Sequence, residues 1–261
     1  MVMLCDKSFS AYIIPIRSDG RVAHLKYGEK AYGLIGGRVA PGEKLADALR
    51  RELGAELGPH AVQLADMAWA VPVPYSFRHT SRARAEQRGA LAEEHHIFIA
   101  HVPDDMDLNF CETRPGENIS IEWATPDEFV QMYPVSRDFF ETHIIPNLKC
   151  RFSMNLQDKY YRMIANGDKD IELRLYDEKR RLMHNGDFVL VYNAQKPSEY
   201  IIAKIVRMHL ASSFANLYKK ISPQRCGFSG VGAALRALTE FYSDAAQEKY
   251  GVVGLELEIN E

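Results

Sequence analysis

The sequence predicts a two-domain α+β protein, and three observations carry that prediction. The 261 residues fit one large domain or two ordinary ones. Strand-like and helix-like runs are mixed within each half, with few helices in either. The texture also resets near residues 146–150, where a stop at Pro146 is followed by a fresh strand-helix-strand series. The expected domains are residues 1–148 and 149–261.

Composition narrows the class. The chain is 46% hydrophobic and 26% charged, enough apolar content to bury a core. A formal net charge of −3 gives no global electrostatic case for nucleic acid, so any such binding has to come from a local basic patch. Cys5, Cys111, Cys150 and Cys226 are far apart and form no C-x-x-C pair. That spacing argues against a disulfide framework or a structural zinc site, and for a reducing compartment. The N-terminus lacks a basic stretch followed by a long apolar run, and no segment approaches the roughly 20 apolar residues that span a bilayer. A soluble, cytoplasmic protein without a membrane partner is the expectation.

In the first half, "FSAYIIPIRSDGRVAHLKYG" reads as two strands joined at Ser18-Asp19-Gly20. "AYGLIGGRV" follows, then a helix from about Glu43 to Leu57. "MAWAVPVPYSF" and "EHHIFIAHV" are further strand candidates. "ISIEWATPDEFVQMY" reads as a strand and then a helix opening at Thr125-Pro126, with Pro at the first helical position and acids in the first turn. A helix near Phe139 to Ile144 ends this half. In the second half "RFSMNLQDKYYRMIANGDKDIELRLYDEKRRLMHNGDFVLVYN" reads strand, helix, turn at Gly167, strand, loop, turn at Asn185-Gly186, strand. "YIIAKIVRMHL" is a strand, "FANLYKKI" and "VGAALRALTEFY" are helices, and "YGVVGLELEI" is a closing strand.

"GGRVAPGEKLADALRRELGAELG" carries the chemistry of the first half. Glu52 and Glu56 are four residues apart on a helix, so they share a face one turn apart. Leu45, Leu49 and Leu53 share another face, which would lock the helix against a sheet. Two carboxylates on a rigid helix suit Mg²⁺ or Mn²⁺, hard ions that leave positions for water and phosphate oxygens. Gly36, Gly37 and Gly42 let backbone approach a ligand closely.

With Gly37, Glu43, Arg51, Glu52, Leu53, Glu56 and Gly58 in this spacing, residues 9–146 resemble the Nudix hydrolases, whose box reads G-x5-E-x7-R-E-U-x-E-E-x-G-U, U being a bulky apolar residue. The resemblance implies an α/β/α sandwich that cleaves nucleoside diphosphates linked to another moiety, by attack of water on a pyrophosphate. It implies Glu52 and Glu56 as metal ligands, Arg51 as the group orienting the carboxylates, and Gly37 and Glu43 in a loop at the substrate. Two positions depart: Ala55 replaces the first acid of the E-E pair, and Pro59 replaces the last apolar residue. Gly54 is a further weakness, costing about 1 kcal/mol against Ala in a helix interior. A working site with one acid fewer and a fold that binds without cleaving both remain open.

Other residues are candidates. Some relatives place a general base before the "ISIEW" strand, which makes Glu112 and Glu117 candidates here, with Glu93 and Glu94 as alternatives. His95 and His96 are adjacent on a strand and so face opposite ways, which argues against both binding one metal. The stretch "SFRHTSRARAEQRG" brings Arg78, Arg82, Arg84 and Arg88, either to clasp substrate phosphates or RNA or as a solvated hairpin loop.

In "DIELRLY" of the second half, Ile171, Leu173 and Leu175 alternate with Glu172, Arg174 and Tyr176. One face is apolar and the other aligns a carboxylate, a guanidinium and a phenol, with Lys169 just before. That face suits phosphate and base recognition, or a solvated face with a structural Glu–Arg pair. The run G-x-K-x-x-E-x-R at Gly167, Lys169, Glu172 and Arg174, with the Gly186-Asp187 turn and the closing strand, resembles an ASCH domain, a PUA-like β-barrel fold tied to RNA. The resemblance implies a nucleotide or RNA cleft lined by Lys169, Glu172, Arg174 and Tyr176. One ASCH branch hydrolyses acylated cytidine with a lysine and a threonine. Glu172 stands where that threonine would be, so binding is the expectation.

Overall fold

A computed structural model describes residues 4–29, 31–111 and 118–259. Backbone contacts divide the chain into two compact units, Met1–Lys149 and Cys150–Glu261. No helix among the described residues is long and apolar enough to cross a membrane.

The first unit is built on strands β1 (Cys5–Ile16), β2 (Val22–Tyr27), β3 (Ala31–Gly33), β4 (Ile35–Arg38), β5 (Trp69–Ala70), β6 (Tyr75–Arg78), β7 (Ala90–His101) and β8 (Ile119–Ala124). They form one mixed sheet with β1 at its centre, parallel to β7 and antiparallel to β2 and β4. The β1–β2 hairpin turns at Ser18-Asp19-Gly20 as expected: Asp19 accepts the Arg21 N–H, and Gly20 has φ +82. Helices α1 (Leu45–Leu57) and α4 (Pro126–Gln131) follow the sequence reading, as do short helical segments at Arg137–Phe139 and Phe140–Ile144, whereas α2 (Leu64–Met67) and α3 (Arg82–Arg88) do not come from it. Helix α4 opens with a full capping box. Thr125 accepts the Glu128 N–H, and Glu128 accepts the Thr125 N–H.

The apolar stripe of α1 behaves as its spacing requires. Leu49, Leu53 and Leu57 are completely buried against Ala11, Ile13, Leu25 and Ile35 of the sheet. Burying each such leucine contributes about 1.5–3 kcal/mol, which fixes the helix and hence its acidic face. One segment differs from the sequence reading. "SFRHTSRARAEQRG" is not a hairpin loop. It is strand β6 followed by α3, whose Ser81 cap accepts the Arg84 N–H and whose end closes on Gly89 at φ +71. The polar composition hid a helix that buries a single residue, Ala85.

The second unit contains β9 (Cys150–Leu156), α5 (Asp158–Ala165), β10 (Ile171–Leu175), α6 (Glu178–Arg181), β11 (Phe188–Asn193), β12 (Tyr200–Ala211), α7 (Phe214–Leu217), α8 (Val231–Thr239), α9 (Asp244–Tyr250) and β13 (Val252–Ile259). Its sheet runs β10-β13-β12-β11-β9, antiparallel except for β9 with β11, and curls into a half-barrel. Ile171 and Leu173 pack with Phe214 and Leu217, as the alternation of β10 requires. The opposite face of β10 is not open: Glu172 is 4% exposed.

Candidate active site and nucleotide cleft

Glycine shapes the first site. Gly36 pairs with Tyr12 and Gly37 with Ala11 across the β1–β4 ladder. Strand alternation puts Ala11 on the face covered by α1 and Tyr12 on the other. A Cβ at Gly37 would therefore point at α1, where it would meet the Glu52 carboxylate. Gly36 has φ +121, and a Cβ there would lie 2.3 Å from the Ala11 carbonyl oxygen. Only glycine fits this approach. Glu56, 2% exposed, accepts the Gly36 N–H at 2.7 Å through Oε2.

Arg51 ties the loop to the helix. It donates to Glu43 through Nε and Nη2, both at 2.9 Å, to the Arg38 carbonyl at 2.7 Å and to Glu52 Oε1 at 2.5 Å. Glu43 also accepts the Ala40 N–H at 2.8 Å. The Arg51 guanidinium and this N–H hold the Glu43 carboxyl down at about 2. Arg51 is stabilised in its charged form by Glu43 and Glu52. Thus Glu43 and Arg51 position Glu52 and the backbone around Gly37.

Glu52 and Glu56 border a cavity of about 880 Å³. Arg38, Arg78, Arg84 and Arg88 supply positive charge to its wall, while Tyr12, Tyr27, Tyr32, Tyr75 and Tyr133 supply aromatic surface. Of the arginines singled out in the sequence, Arg78 lines this cavity and Arg82 does not. Arg82 is 77% exposed in its side chain and pairs with Glu86 one turn along α3. Ala55 is exposed and does not line the cavity. Glu112 and Glu117 lie outside the described residues.

One part of this wall was not assembled by sequence reasoning. Glu93 is buried and receives three groups: His79 Nε2 at 3.0 Å and Arg88 Nε at 3.3 Å on Oε1, and His95 Nε2 at 3.0 Å on Oε2. His79, Arg88 and His95 line the cavity with Glu52 and Glu56. The signal was spatial. Ladder β6–β7 and the cap of α3 bring residues 79, 88, 93 and 95 together. His96 does face away, as adjacency on a strand demands, and pairs with Glu94 at 3.0 Å.

The residues fit a divalent cation of the hard class. Two carboxylates stand a turn apart on α1, one seated against a glycine that leaves it room. Among the described residues no group of three or more His, Cys, Asp or Glu side chains gathers to hold a metal. A hard divalent cation can be held by one or two carboxylates while it keeps several waters.

In the second unit a cavity of about 400 Å³ is lined by Arg174, Arg180, Asp177, Tyr160, Phe241 and Tyr242, among others. Of the residues expected in this cleft, only Arg174 borders this cavity. It donates to the Asn155 carbonyl at 2.9 Å and to the Leu173 carbonyl at 3.0 Å, and pairs with Glu172. Lys169 and Glu172 border a smaller adjoining recess and are buried. Lys169 Nζ donates to the Ile171 carbonyl at 2.7 Å, to the Cys226 carbonyl at 3.2 Å and to Glu172 at 3.1 Å. Tyr176 stacks with Arg181 at 5.4 Å and borders neither space. Tyr160, Phe241 and Tyr242 were missed because they come from different helices and turns.

Fold and site define a mixed-sheet domain with a carboxylate-bearing helix under a glycine loop, followed by a curled-sheet domain with a basic cleft. The chain belongs to the Nudix family: the family model described as the NUDIX domain matches residues 7–143. The model described as the ASCH domain matches residues 154–261. The nucleoside triphosphatase NudI of Salmonella arizonae is 30% identical over 98 residues, covering 38% of this chain and 64% of that protein. NudI of Salmonella newport is 29% identical over 97 residues, covering 37% and 63%. The chain spans just under two thirds of the length of these curated relatives. Among solved structures, the E. coli dihydroneopterin triphosphate pyrophosphohydrolase is 17% identical with a TM-score of 0.42, over 55% of this chain and 99% of that one. A Pyrococcus furiosus protein is 27% identical with a TM-score of 0.35, over 42% of this chain and 97% of that one.

Proposed function

We propose that the first unit hydrolyses a pyrophosphate bond in a nucleotide substrate with the help of Mg²⁺ or Mn²⁺, and that the second binds a nucleotide or RNA. One observation carries the hydrolase reading. Glu52 and Glu56 sit a turn apart on α1 and line a cavity that four arginines and a set of tyrosines also line. That set of groups suits the parts of a nucleotide: carboxylates for a cation, guanidinium groups for phosphates, and aromatic faces for a base. The Salmonella relatives carry the name nucleoside triphosphatase, which supports the same substrate class.

Glu52 and Glu56 are the residues to hold the cation. When bound it would neutralise phosphate charge and lower the pKa of a coordinated water. The chain's own groups do the rest. Arg51 and Glu43 keep Glu52 oriented, the Gly36 N–H keeps Glu56 in place, and the cavity arginines align the phosphates.

Ala55 favours a second reading, a non-catalytic sensor that binds a nucleotide through the same cavity. Turnover separates the two. A panel of nucleoside triphosphates and diphosphate-linked nucleosides, assayed with and without Mg²⁺ or Mn²⁺, should yield metal-dependent cleavage of at least one compound. Binding without cleavage across the panel would favour the sensor. For the second unit, the aromatic-and-arginine cavity supports nucleotide or RNA binding with no chemistry of its own.

A further inference from the structure

The buried carboxylate Glu93 is costly to the fold unless it has a task or full pairing, and it has three partners on the wall of the hydrolase cavity. Burial is the largest influence on it and pushes its pKa up. The His95 hydrogen bond, with Arg88 and His79 beside it, outweighs burial and holds the carboxyl below its ordinary range. His95 lies in the opposite balance: burial pushes its pKa down, and Glu93 only partly offsets that. Burial thus favours the neutral imidazole. A carboxylate accepts and cannot donate, so His95 Nε2 carries the hydrogen that Glu93 Oε2 receives at 3.0 Å. The lone pair is then on Nδ1. Among the described residues, none hydrogen-bonds to that atom.

His95 shares the cavity with Glu52 and Glu56, its side chain on the Tyr12 face of the sheet. Ser10 of β1 pairs with His95 on one side and Arg38 on the other, and Tyr12 pairs with Ile97 and Gly36. Neighbouring strands are about 4.8 Å apart, so His95 is roughly two strand spacings from β4. Tyr12 stands between, 5.0 Å from the His95 ring and within the fields of both Glu93 and Glu56.

We propose that His95 is the base that takes the proton from the attacking water, and that Glu93 is the positioning residue that fixes its tautomer. This rests on the hydrolase reading given above. The water proton goes to His95 Nδ1 as the water oxygen bonds to phosphorus. The bridging P–O bond breaks, and its electron pair leaves with the departing phosphate. The imidazolium is held against Glu93 until its proton returns to solvent. A neutral imidazole locked by a buried carboxylate is a standard way to build such a base.

Groups from every element packed against His95 face its ring. Glu93 and His96 lie on its own strand, Tyr75 and Phe77 on β6, Tyr12 on β1, Arg88 on α3, and His79 reaches it through Glu93. Of these, Glu93 favours the charged ring, while burial, Arg88 and His96 oppose it.

The test is kcat against pH for the full chain, its His95→Asn variant and its Glu93→Gln variant, using Mg²⁺ and whichever pyrophosphate compound the wild type cleaves. Loss of a base should lower kcat of His95→Asn by about 10²–10⁴-fold with KM little changed, and should remove the acid limb set by His95. Glu93→Gln should lower kcat and shift that limb. Imidazole ¹H–¹⁵N NMR of the wild type should report His95 with hydrogen on Nε2 and none on Nδ1, a readout independent of turnover and of how well the variants fold. Hydrogen on Nδ1, or a His95→Asn enzyme with the wild-type limb and kcat, overturns the assignment while leaving the hydrolase reading intact. A wild type without metal-dependent turnover overturns both.

Discussion

A Cβ at Gly37 would sit 2.7 Å from Cδ of Glu52, so the absent side chain of one residue is the space occupied by the carboxylate of the other. Gly37→Ala meets the far end of a flexible side chain, which can swing away. The fold should survive with little change in Tm, while metal-dependent turnover falls about 10²-fold because the carboxylate is displaced. Gly36→Ala differs. At φ +121, with the Ala11 carbonyl oxygen 2.3 Å from the new carbon, only backbone movement relieves the clash. It should destabilise the unit by about 1–3 kcal/mol or more. Thermal unfolding and turnover of the two variants, measured side by side, check this. Equal loss of Tm in both would refute it.

The tether between Glu43 and Arg51 predicts a pH dependence. Glu43 is held at about 2 in the folded chain, against its ordinary 4.5. A depressed folded pKa contributes stability that is complete above about 4.5 and is lost as pH falls through about 2. The Tm gap between wild type and Glu43→Gln should therefore be open at pH 6 and close progressively towards pH 2. The same variant should weaken turnover at pH 7, because Arg51 loses the partner that aims it at Glu52. A gap that stays constant over this range would show that the pair is not the cause.

Ala55 gives a third test. Glu56→Gln keeps an oxygen to accept the Gly36 N–H but removes the charge, so the fold should hold while turnover drops about 10²–10³-fold. Ala55 is exposed, so Ala55→Glu should change stability by no more than about 0.5 kcal/mol. One turn of helix separates 52 from 55 and 56, and the added acid should lower the Mg²⁺ concentration for half-maximal rate several-fold. A wild type that is inert and gains hydrolysis only with Ala55→Glu would make the present chain a sensor.

The sequence made some features legible and hid others, for physical reasons. Helix α1 was readable because its leucines recur every four residues and its glycines and acids fall at fixed offsets within one short segment. Helix α4 was readable because its capping chemistry is local. The Glu93 cluster was hidden because its four residues meet only after β6 and β7 pair. Helix α9, over Asp244–Tyr250, was missed because no residue of it is buried and it has no apolar stripe. The polar face of β10 was misjudged for another reason. Alternation tells which residues face together, and it does not tell whether that face meets solvent. Tyr160, Phe228 and Tyr242 border the recess at Lys169 and Glu172, so these charges stand inside the domain.

That burial separates two roles in the second unit. Lys169 gives its protons to two carbonyls and Glu172, all within the fold. Lys169→Ala would leave those oxygens without their cation and should destabilise the domain by about 3 kcal/mol, the lower end for breaking a buried pair. Any loss of binding in that variant would then follow from unfolding. Arg180 is the better probe of the cleft. It borders the larger cavity and pairs with Asp177 at 2.8 Å, in a short helix with no buried residue. Arg180→Ala should therefore leave Tm close to wild type. If the cavity holds a phosphate, the variant should weaken binding of a nucleotide or a short single-stranded RNA, and the slope of log K against log salt should fall by about 1. Titrations at two salt concentrations for wild type, Arg180→Ala and Tyr160→Ala supply the comparison. Tyr160→Ala should weaken binding with the salt slope unchanged, since stacking on an aromatic face carries no counterion release. Identical affinities in all three proteins would remove this cavity as the ligand site.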